Sequence, residues 1–179
     1  MNTNRGRTRA AHFMSAQNGD DDDDGRQRLE TSVIADVHAA ASAIVEHATP
    51  RTDWCCYVLR SVSQPNLMYC GSTNNLRRRL RQHAGLIRGG GKYTAMARPW
   101  RLAALVADLP DRAAALAFEA HTKVKNWAAH ERARFDRTDP LLRRVQVVLA
   151  AAERHGVAPT RIAWLDADLA RCHAAMGAA

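Results

Sequence analysis

Leu29, Val33, Val37, Ala41, Ile44 and Val45 recur at helical spacing until Thr49-Pro50 breaks the pattern, which predicts a helix over 29–50. The period then changes. WCCYVL (54–59) and Met68–Cys70 are short apolar runs separated by Ser61 to Asn66, with turn formers and Pro65 between them, and this predicts a β-hairpin. From Asn74 the spacing is helical again, with Leu76, Leu80, Ala84 and Ile87 on one stripe, Arg78 and Gln82 opposite it in solvent, and Arg79 and His83 on its shoulder. Gly85 and the run Gly89 to Gly91 open a loop to Pro99, and WRLAALVA (100–107) reads as a third strand. Pro110-Asp111 starts a helix from Arg112 to about Trp127, with an apparent core stripe of Ala113, Leu116, Ala120, Val124 and Trp127. Two further helices are expected, Leu141 to His155, stopped by Gly156, and Thr160 to about Met176, after Pro159.

The first two strands are joined too closely for a crossover, so their pairing must be antiparallel. The expected fold is α/β of the α+β kind: a small three-stranded, mainly antiparallel sheet flanked by helices, with extra N- and C-terminal helices. The expected division is a disordered tail at 1–28, an N-terminal helix at 29–50, a central domain at 51–127 and a C-terminal helical extension at 128–179. The tail expectation rests on its lack of apolar residues and on the run Asp20 to Asp24. No apolar run approaches the roughly 20 residues of a membrane helix and the start carries no signal-peptide core, so a soluble, intracellular chain is expected. Four cysteines, Cys55 and Cys56 adjacent, form neither a disulfide framework nor paired CxxC spacings.

Charge sharpens the reading because of where it lies. The net charge is +8, yet no acidic residue occurs between Asp53 and Asp108, a window holding nine basic ones. Removing those nine from 26 Lys+Arg leaves 17 against 18 Asp+Glu, so the excess belongs to this segment. A segment of this kind fits a polyanion, and Arg77, Arg78, Arg81, Arg88, Lys92, Arg98 and Arg101 are candidates for contacts to a DNA phosphate backbone without sequence readout. Arg79 differs by its place beside the buried stripe, where a guanidinium can be held by protein and still address a ligand. Glu119 is the lone acid between Asp111 and Glu131, and a carboxylate at the margin of an alanine-rich helix can be shared between a hard divalent cation and a phosphate.

With Tyr57 and Tyr69 on the two hairpin strands, these residues resemble the GIY-YIG nuclease family. The first motif corresponds to Cys55-Cys56-Tyr57, the second to Tyr69-Cys70-Gly71, the arginine ten residues beyond the second tyrosine to Arg79, and the family's metal-binding glutamate to Glu119. YCGSTNNLRRRLRQH, GGGKYTAMARPW and ALAFE are most similar to the branch of Slx1-type structure-specific endonucleases. The resemblance spans about Trp54 to Lys125. It implies metal-dependent hydrolysis of DNA phosphodiesters, directed at branched or flap DNA in repair or recombination, and a nuclear location in a eukaryote. It further implies one Mg²⁺ or Mn²⁺ at Glu119, Arg79 on the non-bridging oxygens, Tyr57 or Tyr69 as base, and His83 placing the water or moving a proton. A domain that holds branched DNA without cutting it is the alternative. Two departures stand out: Cys55 occupies the first-motif glycine position, and only Cys172 follows the nuclease segment, where Slx1-type proteins carry a zinc-binding domain and dock a protein partner.

Overall fold

A computed structural model describes residues 23–33, 35–36 and 54–177. Residues 1–22 of the expected tail at 1–28, residues 34 and 37–50 of the expected N-terminal helix, and residues 51–53 and 178–179 lie outside the described part. Helix α1 occupies 23–33 and 35–36, so residues 23–28, expected in the tail, are helical, and Asp24 pairs with Arg28 one turn on at 2.9 Å.

Strand β1 (Cys55–Ser61) pairs antiparallel with β2 (Met68–Thr73). Helix α2 (Leu76–Ala84) and the short α3 (Lys92–Ala95) lead to β3 (Trp100–Val106). Helix α4 (Arg112–His121), the short α5 (Ala129–Arg132) and α6 (Pro140–Arg154) follow, then β4 (Ile162–Trp164) and α7 (Ala167–Gly177). The sheet has four strands in the order β2-β1-β3-β4, every pair antiparallel.

The mixed class and antiparallel hairpin agree with the sequence reading; the strand count does not. The sequence pattern runs a helix from Thr160 through the residues of β4. Its three residues are too few to show alternation, and pairing with β3 overrides their local preference.

Alternation along β1 builds a core on each sheet face. Cys56 and Val58 pack with Phe118, Ala115, Val145 and Val148 from α4 and α6. Tyr57 and Leu59 pack with Leu80, Leu86, Trp100 and Leu102 on the other side. Helix α2 is capped by Asn75, whose side chain accepts from the Arg78 amide, and ends at Gly85, whose left-handed φ of 85° suits glycine. That stop puts Leu86 rather than Ile87 into the core.

Helix α4 corrects the sequence reading twice. It stops at His121, with a 3-10 turn at Val124–Asn126, and its buried positions are Ala115 and Phe118, while Ala113 and Leu116 are exposed. In an alanine-rich helix several stripes look alike, and the bulk of Phe118 sets the phase. The rotation matters, because Glu119 follows Phe118 and is carried to the margin of the β2 edge.

Candidate active site

Gly71 lies opposite Tyr57 in the β1–β2 ladder, and the Tyr57 ring lies across it: a Cβ there would stand 2.4 Å from the phenol oxygen. Space, not backbone angle, demands glycine. Tyr57 is fully buried, so it cannot swing aside freely. Gly71→Ala is therefore expected to displace the phenol at an overpacking cost of about 1–3 kcal/mol. The checking measurement is thermal unfolding beside single-turnover DNA cleavage: cleavage should fall at least about 10-fold with a folded domain retained, and a wild-type rate would show that the placement of Tyr57 is immaterial.

Three residues, two from one helix face and one from a strand, converge on that phenol. Arg79 Nε donates to the Tyr57 hydroxyl at 3.0 Å, and His83 Nε2 lies 2.9 Å from the same oxygen. His83 is buried, its ring 5.0 Å from that of Tyr69, which is itself 6.3 Å from Tyr57. The sequence set Arg79 and His83 on one shoulder of α2, and there they meet the first of the two strand tyrosines. Tyr69 is partly exposed beside them, and a string of rings continues through Tyr93 to Trp100.

Burial pushes the Tyr57 phenol well above its usual range, and the Arg79 hydrogen bond and charge offset this only in part. Burial, then the nearby Arg79 and Arg98 charges, lower His83 to about 4, so its imidazole is neutral at pH 7.

Gln82, expected in solvent, is buried. Its Oε1 accepts from Arg79 Nη1 at 3.0 Å and its Nε2 donates to the Arg88 carbonyl at 3.2 Å. The reason is the glycine run: a Cβ on Gly90 would lie 2.5 Å from the Gln82 carbonyl, so only a glycine loop can lie this close to α2. Gly89 O also accepts from Arg79 Nη1 at 3.2 Å. Wheel geometry places Gln82 outward; the loop that covers it is the glycine run just beyond the end of α2, which folds back over the helix.

Glu119 reaches the β2 edge from the other face of the sheet. Its Oε2 accepts from Ser72 Oγ at 2.8 Å and its Oε1 from Lys123 Nζ at 3.0 Å. The carboxylate raises the Lys123 ammonium above its ordinary range. Among the described residues, no group of three or more His, Cys, Asp or Glu is assembled for a metal. Such a site fits a hard divalent ion that takes one protein carboxylate and completes its shell with water and a substrate phosphate.

The structure divides the basic residues. Arg77, Arg78, Arg88 and Lys92 are exposed. Arg81 instead pairs with Glu30 at 2.6 Å, and Arg101 with Asp36 at 3.0 Å, both acids from α1. Arg98 Nε donates to the His83 carbonyl at 2.8 Å. Cys55 sits in regular β1 pairing, and the lone non-glycine residue with positive φ among those described is Asp108, so cysteine at a motif glycine brings no backbone strain. Cys56 and Cys70 are packed core residues.

Comparison with known proteins agrees with this geometry. Residues 53–132 match the GIY-YIG catalytic domain. The structure-specific endonuclease subunit SLX1 of Malassezia globosa is 47% identical over 95 residues, which is 53% of this chain and 21% of that protein. That of Eremothecium gossypii is 51% identical over 69 residues, covering 37% of this chain and 23% of its own length. The slx1 subunit of Talaromyces stipitatus is 47% identical over 68 residues, 37% of this chain and 18% of the relative. The matched part thus spans about a fifth of each relative. Tyr57, Tyr69, Arg79 and Glu119 all lie inside the matched segment, and residues 53–132 of this chain are a GIY-YIG domain.

Proposed function

We propose that this chain is a metal-dependent DNA endonuclease, directed at branched or flap DNA, that hydrolyses phosphodiesters with Tyr57 and His83 as a joint base. The observation that carries this reading is the Tyr57 hydroxyl held between Arg79 Nε and His83 Nε2.

Phosphodiester hydrolysis needs an in-line nucleophile and charge stabilisation on the phosphoryl oxygens. A free tyrosinate at Tyr57 is disfavoured by its burial, which a concerted transfer avoids. As water attacks phosphorus, its proton passes to the Tyr57 oxygen while the Tyr57 proton passes to His83 Nε2. The new P–O bond forms, the bond to the leaving oxygen breaks, and that oxygen takes a proton from solvent. Tyr57 stays neutral throughout and the imidazole ends protonated. Because Arg79 covers the buried phenol, water meets it only when Arg79 exchanges Gln82 and Gly89 for a phosphate oxygen, which couples substrate binding to exposure of the base. Tyr69, partly exposed beside His83, lines the approach. Glu119, oriented by Ser72, would hold the ion, Mg²⁺ or Mn²⁺; bound there, it supplies Lewis acidity and neutralises phosphate charge.

The test is incubation of the chain with labelled flap, splayed-arm, four-way-junction and linear duplex DNA, with and without Mg²⁺. Metal-dependent cleavage of branched forms is expected. Binding without cleavage of any of them would show a DNA-holding domain instead.

Affinity should also fall steeply with salt and hardly vary with sequence. Each of Arg77, Arg78, Arg88 and Lys92 that meets a phosphate contributes about −0.9 to the slope of log affinity against log salt, so a slope near −3.6 is expected on duplex arms. A flat response measured by fluorescence anisotropy would assign the charge to something else. Among the described residues no helix is long and apolar enough to cross a membrane. A protein partner is proposed because the relatives are named as subunits.

A further inference from the structure

The hydrogen bonds around His83 fit a single direction of donation. Thr94 is fully buried in α3, and its hydroxyl donates to the Gly91 carbonyl at 3.0 Å. A hydroxyl has one hydrogen, so at its contact with His83 Nδ1, 2.9 Å away, Thr94 Oγ1 must accept. His83 therefore carries its proton on Nδ1, and neutral imidazole leaves Nε2 as a bare acceptor. At the other end, the Tyr57 oxygen accepts from Arg79 Nε and so has its own hydrogen to give to Nε2. Every link then runs one way: Arg79 to Tyr57, Tyr57 to His83, His83 to Thr94, Thr94 to Gly91.

We infer that Thr94 is a positioning residue that holds His83 in the Nδ1–H tautomer and so keeps Nε2 open to receive the Tyr57 proton. Thr94 touches neither substrate nor the reacting atoms. Its own position is fixed on three sides: its amide and hydroxyl both bond the Gly91 carbonyl, and its carbonyl accepts from Trp100 Nε1 at 2.7 Å. The role also gives a use to the loop between α2 and β3, which delivers Gly89 to Arg79 and Thr94 to His83 and so organises both partners of the phenol. In the opposite tautomer Nε2–H would face a phenol oxygen already receiving a hydrogen from Arg79, and the Tyr57 proton would have no acceptor. An orienting partner that selects a histidine tautomer in this manner acts on turnover rather than on substrate affinity.

This inference rests on the joint-base reading of Tyr57 and His83, and the experiment separates the two. Nitrogen-15 chemical shifts of the imidazole, measured on the full chain at pH 7, report the tautomer directly. The expected wild-type signature is a protonated Nδ1 and an unprotonated Nε2. Thr94→Val should lower single-turnover cleavage of a labelled flap DNA in Mg²⁺ by roughly 10- to 100-fold, a range set by other tautomer-orienting contacts. DNA affinity should be unchanged and the Nδ1–H signal lost or mixed. Thr94→Ser, which keeps the hydroxyl, should restore both rate and signal. A wild-type Nε2–H tautomer overturns the inference without any variant, so an unfolded Thr94→Val does not protect it. Full cleavage by Thr94→Val also overturns it, provided that Tyr57→Phe and His83→Ala are impaired. Unimpaired Tyr57→Phe and His83→Ala would sink the joint-base reading itself.

Discussion

Glu119→Gln should cut single-turnover cleavage by about 100-fold or more, because a divalent ion at a phosphoryl oxygen is worth several kcal/mol of transition-state stabilisation and each 1.4 kcal/mol is about tenfold. The substitution keeps shape and the acceptor for Ser72 Oγ but removes the charge. A competing explanation is an ordinary ion pair, since Lys123 Nζ sits on Oε1, with side-chain exposures of 46% for Lys123 and 18% for Glu119. So exposed a pair contributes little to stability. The two explanations separate on Lys123→Met. If the carboxylate serves an ion, losing the lysine leaves the rate intact or lowers the Mg²⁺ concentration needed for half-maximal cleavage, since ammonium and metal compete for one oxygen. If it serves the lysine, both variants lose activity alike. Wild-type cleavage by Glu119→Gln, read against Mg²⁺ titrated over a wide range, would remove the metal role altogether.

The parts of the site that were legible in the sequence are those written into a single element. Arg79 and His83 are one turn apart on α2 beside Leu80, so a helical wheel suffices to aim both at the same place. The hairpin spacing does the same for Tyr57 and Tyr69. Residues placed by contact between distant segments were hidden. Gln82 lies opposite the apolar stripe on the wheel and is buried only because a glycine loop folds over it. Thr94 belongs to a four-residue helix, too short for any period to show. The pairing of Arg81 and Arg101 with Glu30 and Asp36 of α1 was equally hidden. In α4 the reading failed for another reason: alanine is compatible with either face, so Leu116 drew the stripe to the wrong side while Phe118 decided the packing. The acid-free window is plain in the sequence, but which of its arginines stand exposed and which pair with acids is a tertiary property.

Among the arginines of α2, Arg79 should differ in kind from its neighbour Arg78, although composition treats them alike. Arg78 is exposed, and its amide donates to the Asn75 cap. The Arg79 guanidinium is gripped at Tyr57 through Nε and at Gln82 and Gly89 through Nη1, and the latter two can yield to a phosphate without moving the backbone. An arginine preorganised in this way gives a planar, two-pronged donor at the site where charge develops, and such a donor is worth most in the transition state. Arg79→Ala is expected to lower single-turnover cleavage at saturating enzyme by about 100-fold or more with DNA affinity nearly kept. Arg78→Ala should do the reverse: a near-normal rate once bound, weaker binding, and a salt slope flatter by about one unit. Arg79→Lys sharpens the comparison. It retains the positive charge but loses the planar fork, and a lysine cannot donate to Tyr57 and a phosphate in the same geometry. A rate close to that of Arg79→Ala would identify geometry as the contribution, whereas full activity would reduce Arg79 to field. Equal cleavage rates for Arg79→Ala and Arg78→Ala would show that the phenol-bound guanidinium has no special part in the reaction.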